Sequence, residues 1–235
     1  MKKLTIVLIV VLLFNFGALS GKAKKPSSAA QDTTSLRLFD TIGHKLQINC
    51  TNLGRRIYFI DDIILNKADV QAGKISFLLN RDFIISDVII NDVAIPIRKF
   101  RNVNSKGFDP NLDPEYFKAI DKNISIYEFV LDDLTNAPEQ FGVRIKYHLI
   151  DRETNNVYRK FGDKLIMRGD EFWYPRSLNK DDNVLLTVKT TDQISFSLNA
   201  KAVDYTRPTK RLKEYKTSFI DKKDEPALII FTKKG

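Results

Sequence analysis

The sequence predicts an all-β domain: an antiparallel β-sandwich, or a pair of curved, saddle-like sheets, with one short helix. Three observations carry this. Short apolar runs with a period of two recur along most of the chain, as expected of strands that bury one face. Sixteen Phe and eight Tyr stand against two Met, and aromatic side chains suit pleated surfaces. No helical run is long enough to cross between parallel strands, which argues against βαβ units. With 235 residues, 43% of them hydrophobic, the chain can bury a sizeable core.

The front end is set apart. Met1-Lys2-Lys3 is a basic start, and Leu4 to Phe16 is apolar apart from Thr5 and Asn15. Gly17-Ala18-Leu19-Ser20 then supplies small residues for cleavage, so residues 1–20 read as a secretory signal peptide. Retention as an anchor is the alternative, but a membrane span needs about 20 apolar residues. Export to a periplasmic or extracellular space follows. Residues 21–35 are polar, from Lys22, Lys24 and Lys25 to Ser27 and Gln31, and read as a disordered linker. Residues 36–235 form the single β-domain. Cys50 is the only cysteine, so the fold uses no internal disulfide. Its place in the alternating run Leu46–Cys50 marks it as a small buried hydrophobe.

The elements follow in order. Leu36 to Leu65 holds two or three strands, with turns at Gly43 and Gly54. Lys74–Ile97 reads as a three-strand meander: Ile75–Asn80, Phe83–Ile90 and Val93–Ile97. Asn80-Arg81-Asp82 and Asn91-Asp92 supply its turns, and Ser76, Asp87 and Asn91 suggest one wet face. Asp113-Pro114-Glu115 is a helix start, opening a short helix over Glu115–Asp121. Ile124–Asp132 is a strand. Phe141–Ile150 alternates Val143, Ile145, Tyr147 and Leu149 against Arg144, Lys146 and His148, and is the cleanest half-exposed strand. Val157–Phe161 is expected to pair back onto it. Val184–Lys189, Ile194–Leu198, Lys213–Ile220 and Ala227–Thr232 complete the set, with Arg207–Arg211 as a loop.

Three stretches, in order, resemble the N-terminal β-domain of the M1 (aminopeptidase N type) zinc metallopeptidases. They are Lys74–Ile97, Ile126–Leu149 with its Ile145-Lys146-Tyr147, and Asp170–Val188 with Phe172-Trp173-Tyr174-Pro175. Thr191-Asp192 departs from the Pro-Gly turn common in that family. The resemblance implies a domain that supports a neighbouring zinc-binding catalytic domain. That domain's H-E-x-x-H and Gly-x-Met-Glu-Asn motifs do not occur in this sequence, and the chain ends near where it would begin. No catalytic residue carries over, so the expectation is a non-enzymatic chain without metal or cofactor.

The remaining candidates are few. His44 and His148 each stand alone in sequence, which gives a metal no partners. Asp109, Asn111 and Asp113 have calcium-loop spacing, but Pro114 and Ile120 occupy the positions that need Gly and Glu. Asp61-Asp62, Asp132-Asp133 and Asp181-Asp182 are adjacent pairs that would point to opposite faces. They read as turn acids. Arg168-Gly169-Asp170 matches an adhesion tripeptide and equally a natural turn. Trp173 and Tyr174 could form a core or a binding platform.

The formal charge is +9, and residues 1–20 take Lys2 and Lys3 with them. Lys201–Lys223 concentrates the rest, with eight bases against three acids and with Tyr205 and Tyr215 interleaved. Arg207, Lys210, Arg211 and Lys213 are its candidate contacts for anionic envelope polymers or lipids. Nucleic acid is excluded for an exported chain. The leading expectation is a protein- or peptide-binding module that uses sheet faces or edges. A hydrolase with an unrecognised site is the remaining alternative.

Overall fold

The computed structural model describes residues 41–51, 53, 56–70, 74–90, 93–94, 97–100, 123–130, 138–150, 156–176, 181–222 and 225–234. The expected signal peptide, linker and Glu115–Asp121 helix lie outside these residues, as does the Asp109–Asp113 spacing. In chain order the strands are β1 (Thr41–Cys50), β2 (Arg56–Asn66), β3 (Lys74–Asn80), β4 (Phe83–Ile90), β5 (Val93–Ala94), β6 (Ile97–Phe100), β7 (Ile124–Val130) and β8 (Gln140–Ile150). They continue with β9 (Arg159–Phe161), β10 (Lys164–Arg168), β11 (Asp182–Thr191), β12 (Ile194–Leu198), β13 (Lys201–Ala202), β14 (Tyr205–Thr209), β15 (Leu212–Asp221) and β16 (Leu228–Lys233). The described helical pieces are single 3-10 turns at Lys67–Asp69 and Gly169–Glu171.

The strands make three sheets. One has eight strands in the order β14-β15-β11-β1-β2-β8-β4-β5; a second has five, β13-β12-β16-β10-β9; a third has three, β3-β7-β6. The all-β expectation holds. Pairing is antiparallel among the described strands except for β1 with β11, which run parallel from His44↔Val184 to Cys50↔Thr190. Period-two alternation builds the large sheet. β2 and β8 alternate buried and outward residues along their whole length, as the residue pattern of β8 predicts. The buried faces of all three sheets feed one hydrophobic cluster, which includes Phe59, Phe77, Tyr147, Trp173 and Phe231.

Three expectations are corrected. The first is the Lys74–Ile97 meander. β4 and β5 do pair, through Ile90↔Val93, but β3 pairs with β7 in a different sheet. The turn at Arg81-Asp82 is therefore a corner between sheets. Asn80 fixes it: its side-chain amide donates to the carbonyls of Asn156 (3.2 Å) and Glu171 (3.0 Å), and its Oδ1 accepts the Asp82 N–H at 3.1 Å. Its own backbone N–H donates to the Phe172 carbonyl at 3.0 Å. β3 consequently buries Ile75 to Asn80 on both faces, and Ser76, expected on a wet face, is buried. Second, Arg159–Phe161 pairs forward with β10 rather than back with β8, around a turn in which Gly162 takes a φ of 58°. That left-handed conformation is open to glycine without a Cβ clash. Third, Arg207, Pro208 and Thr209 belong to edge strand β14, and only Lys210-Arg211 turn. An edge is where a strand tolerates proline's missing N–H.

The corner gives a stability prediction. Asn80→Ala removes three part-buried side-chain hydrogen bonds, so it should cost about 2–3 kcal/mol. Arg81→Ala, on the exposed side of the same turn, should stay within about 0.5 kcal/mol. Urea unfolding of the two variants checks this.

Candidate functional site

The residues that sequence reasoning set apart as turn acids and a lone histidine converge in the core. His44 stands on β1 in phase with Leu46, Ile48 and Cys50, so its side chain points inward. Asp61 shares the inward phase of Ile57, Phe59, Ile63 and Leu65 on β2. Asp182 shares that of Val184 and Leu186 on β11, and Asp221 closes β15. The signal was present in the sequence: a polar residue at an inward position of an alternating run must find a buried partner.

The partners form a chain. His44 Nδ1 donates to Asp61 Oδ2 at 2.7 Å, and its Nε2 lies 3.8 Å from Asp182 Oδ1. Arg176 Nε donates to Asp182 Oδ2 at 3.0 Å, and Arg176 Nη1 stands 3.3 Å from Asp221 Oδ2. The Tyr174 hydroxyl donates to Asp221 Oδ2 at 2.8 Å and lies 3.2 Å from Asp182 Oδ2. The Ala227 N–H donates to Asp221 Oδ1 at 2.7 Å. Arg176 Nη1 also donates to the Gly169 carbonyl at 3.1 Å. A Cβ on Gly169 would fall 2.5 Å from the Asp221 carboxylate, so only glycine fits there.

Electrostatics sets the protonation. Burial alone would lower the His44 pKa. Attraction to Asp61, the hydrogen bond to it and the nearby Asp182 carboxylate outweigh it and raise the value from 6.5 to about 9. Burial also pushes Asp61 upward while His44 pulls it back. The short Nδ1–Oδ2 contact and the second carboxylate beyond Nε2 put the proton on His44. Burial raises Asp221 against the pull of Arg176. The side chains of His44, Asp61, Asp182 and Asp221 have no exposed surface. The network is therefore closed off from solvent.

The named candidates separate. Trp173 and Tyr174 are fully buried and do not form a binding platform. They pack on each other with centroids 4.7 Å apart. Tyr174 finds the carboxylates above, whereas the Trp173 indole N–H meets no acceptor among the described residues. Lys213 is also buried, its ammonium donating to the carbonyl of Asp192 at 2.9 Å. Arg207, Lys210 and Arg211 are exposed. Arg207 is held by Asp192 at 2.7 Å, Lys216 by Glu214 at 2.8 Å, and Lys222 lies 3.9 Å from Glu225. Three of the eight bases in Lys201–Lys223 are thus compensated locally. In Arg168-Gly169-Asp170, Arg168 is engaged by Asp170 itself at 3.0 Å, and Gly169 is buried. His148 is half-buried on the outer face beside Tyr58, its pKa lowered by burial and by Arg56.

Two surface features remain. β15 pairs with β11 along its whole length, but β14 covers only Leu212 to Tyr215. Among the described residues, nothing pairs with the outer edge of Lys216–Ile220. Beside it lies a shallow bowl of about 470 Å³, whose lining includes His44, Lys45, Leu185, Ser218, Phe219 and Ile220. Leu185 and Ile220 are 51% and 55% exposed. The second feature is a cavity of about 640 Å³ at the turns that join β9 to β10, β11 to β12 and β14 to β15.

No protein-family model matches the sequence, and no curated protein matches it. Solved structures do match the fold. An M1 zinc metallopeptidase from Deinococcus radiodurans, in a variant bound to a Tyr-Ser-Ala substrate, superposes with a TM-score of 0.56 at 12% identity. The match covers 83% of this chain and 42% of that one. A two-domain M1 zinc metallopeptidase variant bound to L-tryptophan gives 0.57 at 12% identity, covering 84% and 43%. Leukotriene A4 hydrolase from Saccharomyces cerevisiae gives 0.54 at 7% identity, covering 88% and 32%. The chain spans less than half the length of these structures, and the likeness is one of fold. It agrees with the N-terminal β-domain that the sequence motifs resemble.

The raised His44 pKa yields a pH prediction. A histidine whose folded pKa exceeds its unfolded value contributes stability that is complete below the unfolded value and lost as pH rises through the folded one. Stability should therefore decline between about pH 6.5 and 9. His44→Gln should cost about 3–5 kcal/mol at pH 6 by leaving buried carboxylates unpaired, and should flatten that decline. Thermal unfolding from pH 6 to 10 measures both.

Proposed function

We propose that this chain is an exported, non-catalytic β-module that takes an extended segment of a partner polypeptide along the open part of β15. The observation that carries the reading is the edge at Lys216–Ile220, unpaired among the described residues, beside exposed Leu185 and Ile220. An edge strand offers unpaired N–H and C=O groups at every second residue, and an added strand satisfies them. Side chains of the incoming strand alternate faces, so every second one would rest on Leu185 and in the bowl. Edges of this kind are usually blunted; this one carries no proline and no inward charge between Lys216 and Ile220.

Export rests on residues 1–20, whose basic start, apolar run and small residues have the form of a signal peptide. The non-catalytic part rests on the two histidines. His44 is committed to the buried network and His148 stands on the outer face beside Tyr58. The fold likeness supports a partnered role: in a two-domain M1 zinc metallopeptidase this architecture accounts for 43% of the chain.

A photocrosslinking side chain placed at Ser218 in the full chain, expressed in its own cell, should trap a polypeptide, and one at Gln140 should not. Leu185→Glu should reduce the Ser218 product at least tenfold. Equal trapping at both positions, or trapping at neither, contradicts the reading. Aminopeptidase assays with added zinc and with chelator should both be blank; chelator-sensitive turnover would show a catalytic chain.

A further inference from the structure

The cavity at the turn end of the domain gathers cations that are far apart in sequence. Lys160 comes from β9, Lys164 from the start of β10, Arg211 from the β14–β15 turn and Lys233 from the end of β16. Strand register brings them together: Lys164 pairs opposite Thr232, next to Lys233, and opposite Phe161, next to Lys160. Lys233 itself stands opposite Ile194, which follows the β11–β12 turn.

Two acids share the lining, Asp163 and Asp192. Asp192 is already neutralised by Arg207 at 2.7 Å. Its carbonyl is taken by Lys213 at 2.9 Å. Lys164, Arg211 and Lys233 form no ion pair among the described residues, so the cavity keeps an excess of positive charge. That excess contrasts with Arg207, Lys216 and Lys222 of the same basic stretch, each of which has a carboxylate within 4 Å. Like charges gathered around a concavity focus the field there and raise the local concentration of anions.

The rest of the lining narrows the class. The volume of about 640 Å³ suits a small organic ligand. A guanidinium with ammonium groups around it matches a multiply charged oxyanion better than a single carboxylate. Thr51, Thr191 and Gln193 offer hydroxyl and amide partners, and Leu53, Leu165 and Ile194 give the floor an apolar part. We propose that this cavity binds a phosphoryl-bearing anion, either a small organic phosphate or the phosphate of a lipid headgroup.

Titration of the purified full chain at 0.15 M salt tests this with inorganic pyrophosphate and glycerol 3-phosphate, and with glycerol as the neutral control. Vesicles of phosphatidylglycerol, against phosphatidylcholine, form the second arm. Lys164→Glu with Arg211→Glu should weaken binding of the phosphoryl probe at least tenfold while the thermal midpoint shows the chain still folded. Lys210→Glu, on the same turn as Arg211 but outside the cavity, should change it less than twofold. Binding to the soluble phosphates identifies a small-molecule site; binding to phosphatidylglycerol alone, with the same dependence on Lys164 and Arg211, identifies a headgroup site. Equal losses for Lys210→Glu and the double variant would show only diffuse charge attraction and overturn the proposal, as would no binding in either arm. If the double variant unfolds, Lys233→Gln, with a smaller loss expected in the same direction, takes its place.

Discussion

Arg176 touches all three sheets. Its backbone bridges Leu78 of β3 through two hydrogen bonds of 3.0 Å. Its guanidinium donates to Gly169 at the end of β10 and to Asp182 at the start of β11, and faces Asp221 at the end of β15. Its flat cation also lies over the ring of Tyr174, 5.3 Å from the centroid. Taking such charges out of water costs several kcal/mol per ion, so the arrangement depends on opposite charges meeting in the core, even though His44 Nε2, Asp61 Oδ1 and Asp182 Oδ1 make no hydrogen bond among the described residues. His44 completes the pairing from the other side, binding Asp61 and facing Asp182. Gly169 is the steric condition, because any side chain there would displace Asp221. The network thus closes the junction that the hydrophobic core leaves between sheets.

Much of the fold was legible because strand periodicity is a local property. β8 could be placed almost to the residue from Val143, Ile145, Tyr147 and Leu149. β12 spans Ile194–Leu198 in both the residue pattern and the structure. What local pattern cannot say is which strand pairs with which. The turn after Asn80 looks like a hairpin, yet Asn80 anchors it to Asn156 and Glu171, more than 70 residues away in sequence. The parallel pairing of β1 with β11 joins residues 140 positions apart at His44↔Val184, and no crossover helix among the described residues announces it.

The same limit hid the network. His44 and Asp61 are separated by 17 residues, Tyr174 and Asp221 by 47. Each looks ordinary in its own segment. Adjacent acids do point to opposite faces, as strand geometry requires: Asp61 is buried, while Asp62 pairs with Arg144 across the strands at 2.6 Å. The reading as turn acids missed that one carboxylate from each of three strands meets the others in the core. Trp173 and Tyr174 were recognisable as a family resemblance, and the structure shows why that segment matters: it carries the residues that lead into Arg176. Of the two surface features proposed to engage partners, the bowl beside the β15 edge is lined in part by His44 of the network, and β15 itself ends in Asp221.

The central claim is that the Arg176 network makes three sheets one cooperative unit. Native-state hydrogen exchange reads this directly, through protected amides near Phe77 of the three-stranded sheet, Tyr147 of the eight-stranded sheet and Phe231 of the five-stranded sheet. In the natural chain these amides should share one opening free energy, equal to that of global unfolding. After Arg176→Met the three values should separate, with the three-stranded sheet opening first. A single shared value that survives the substitution would contradict the account.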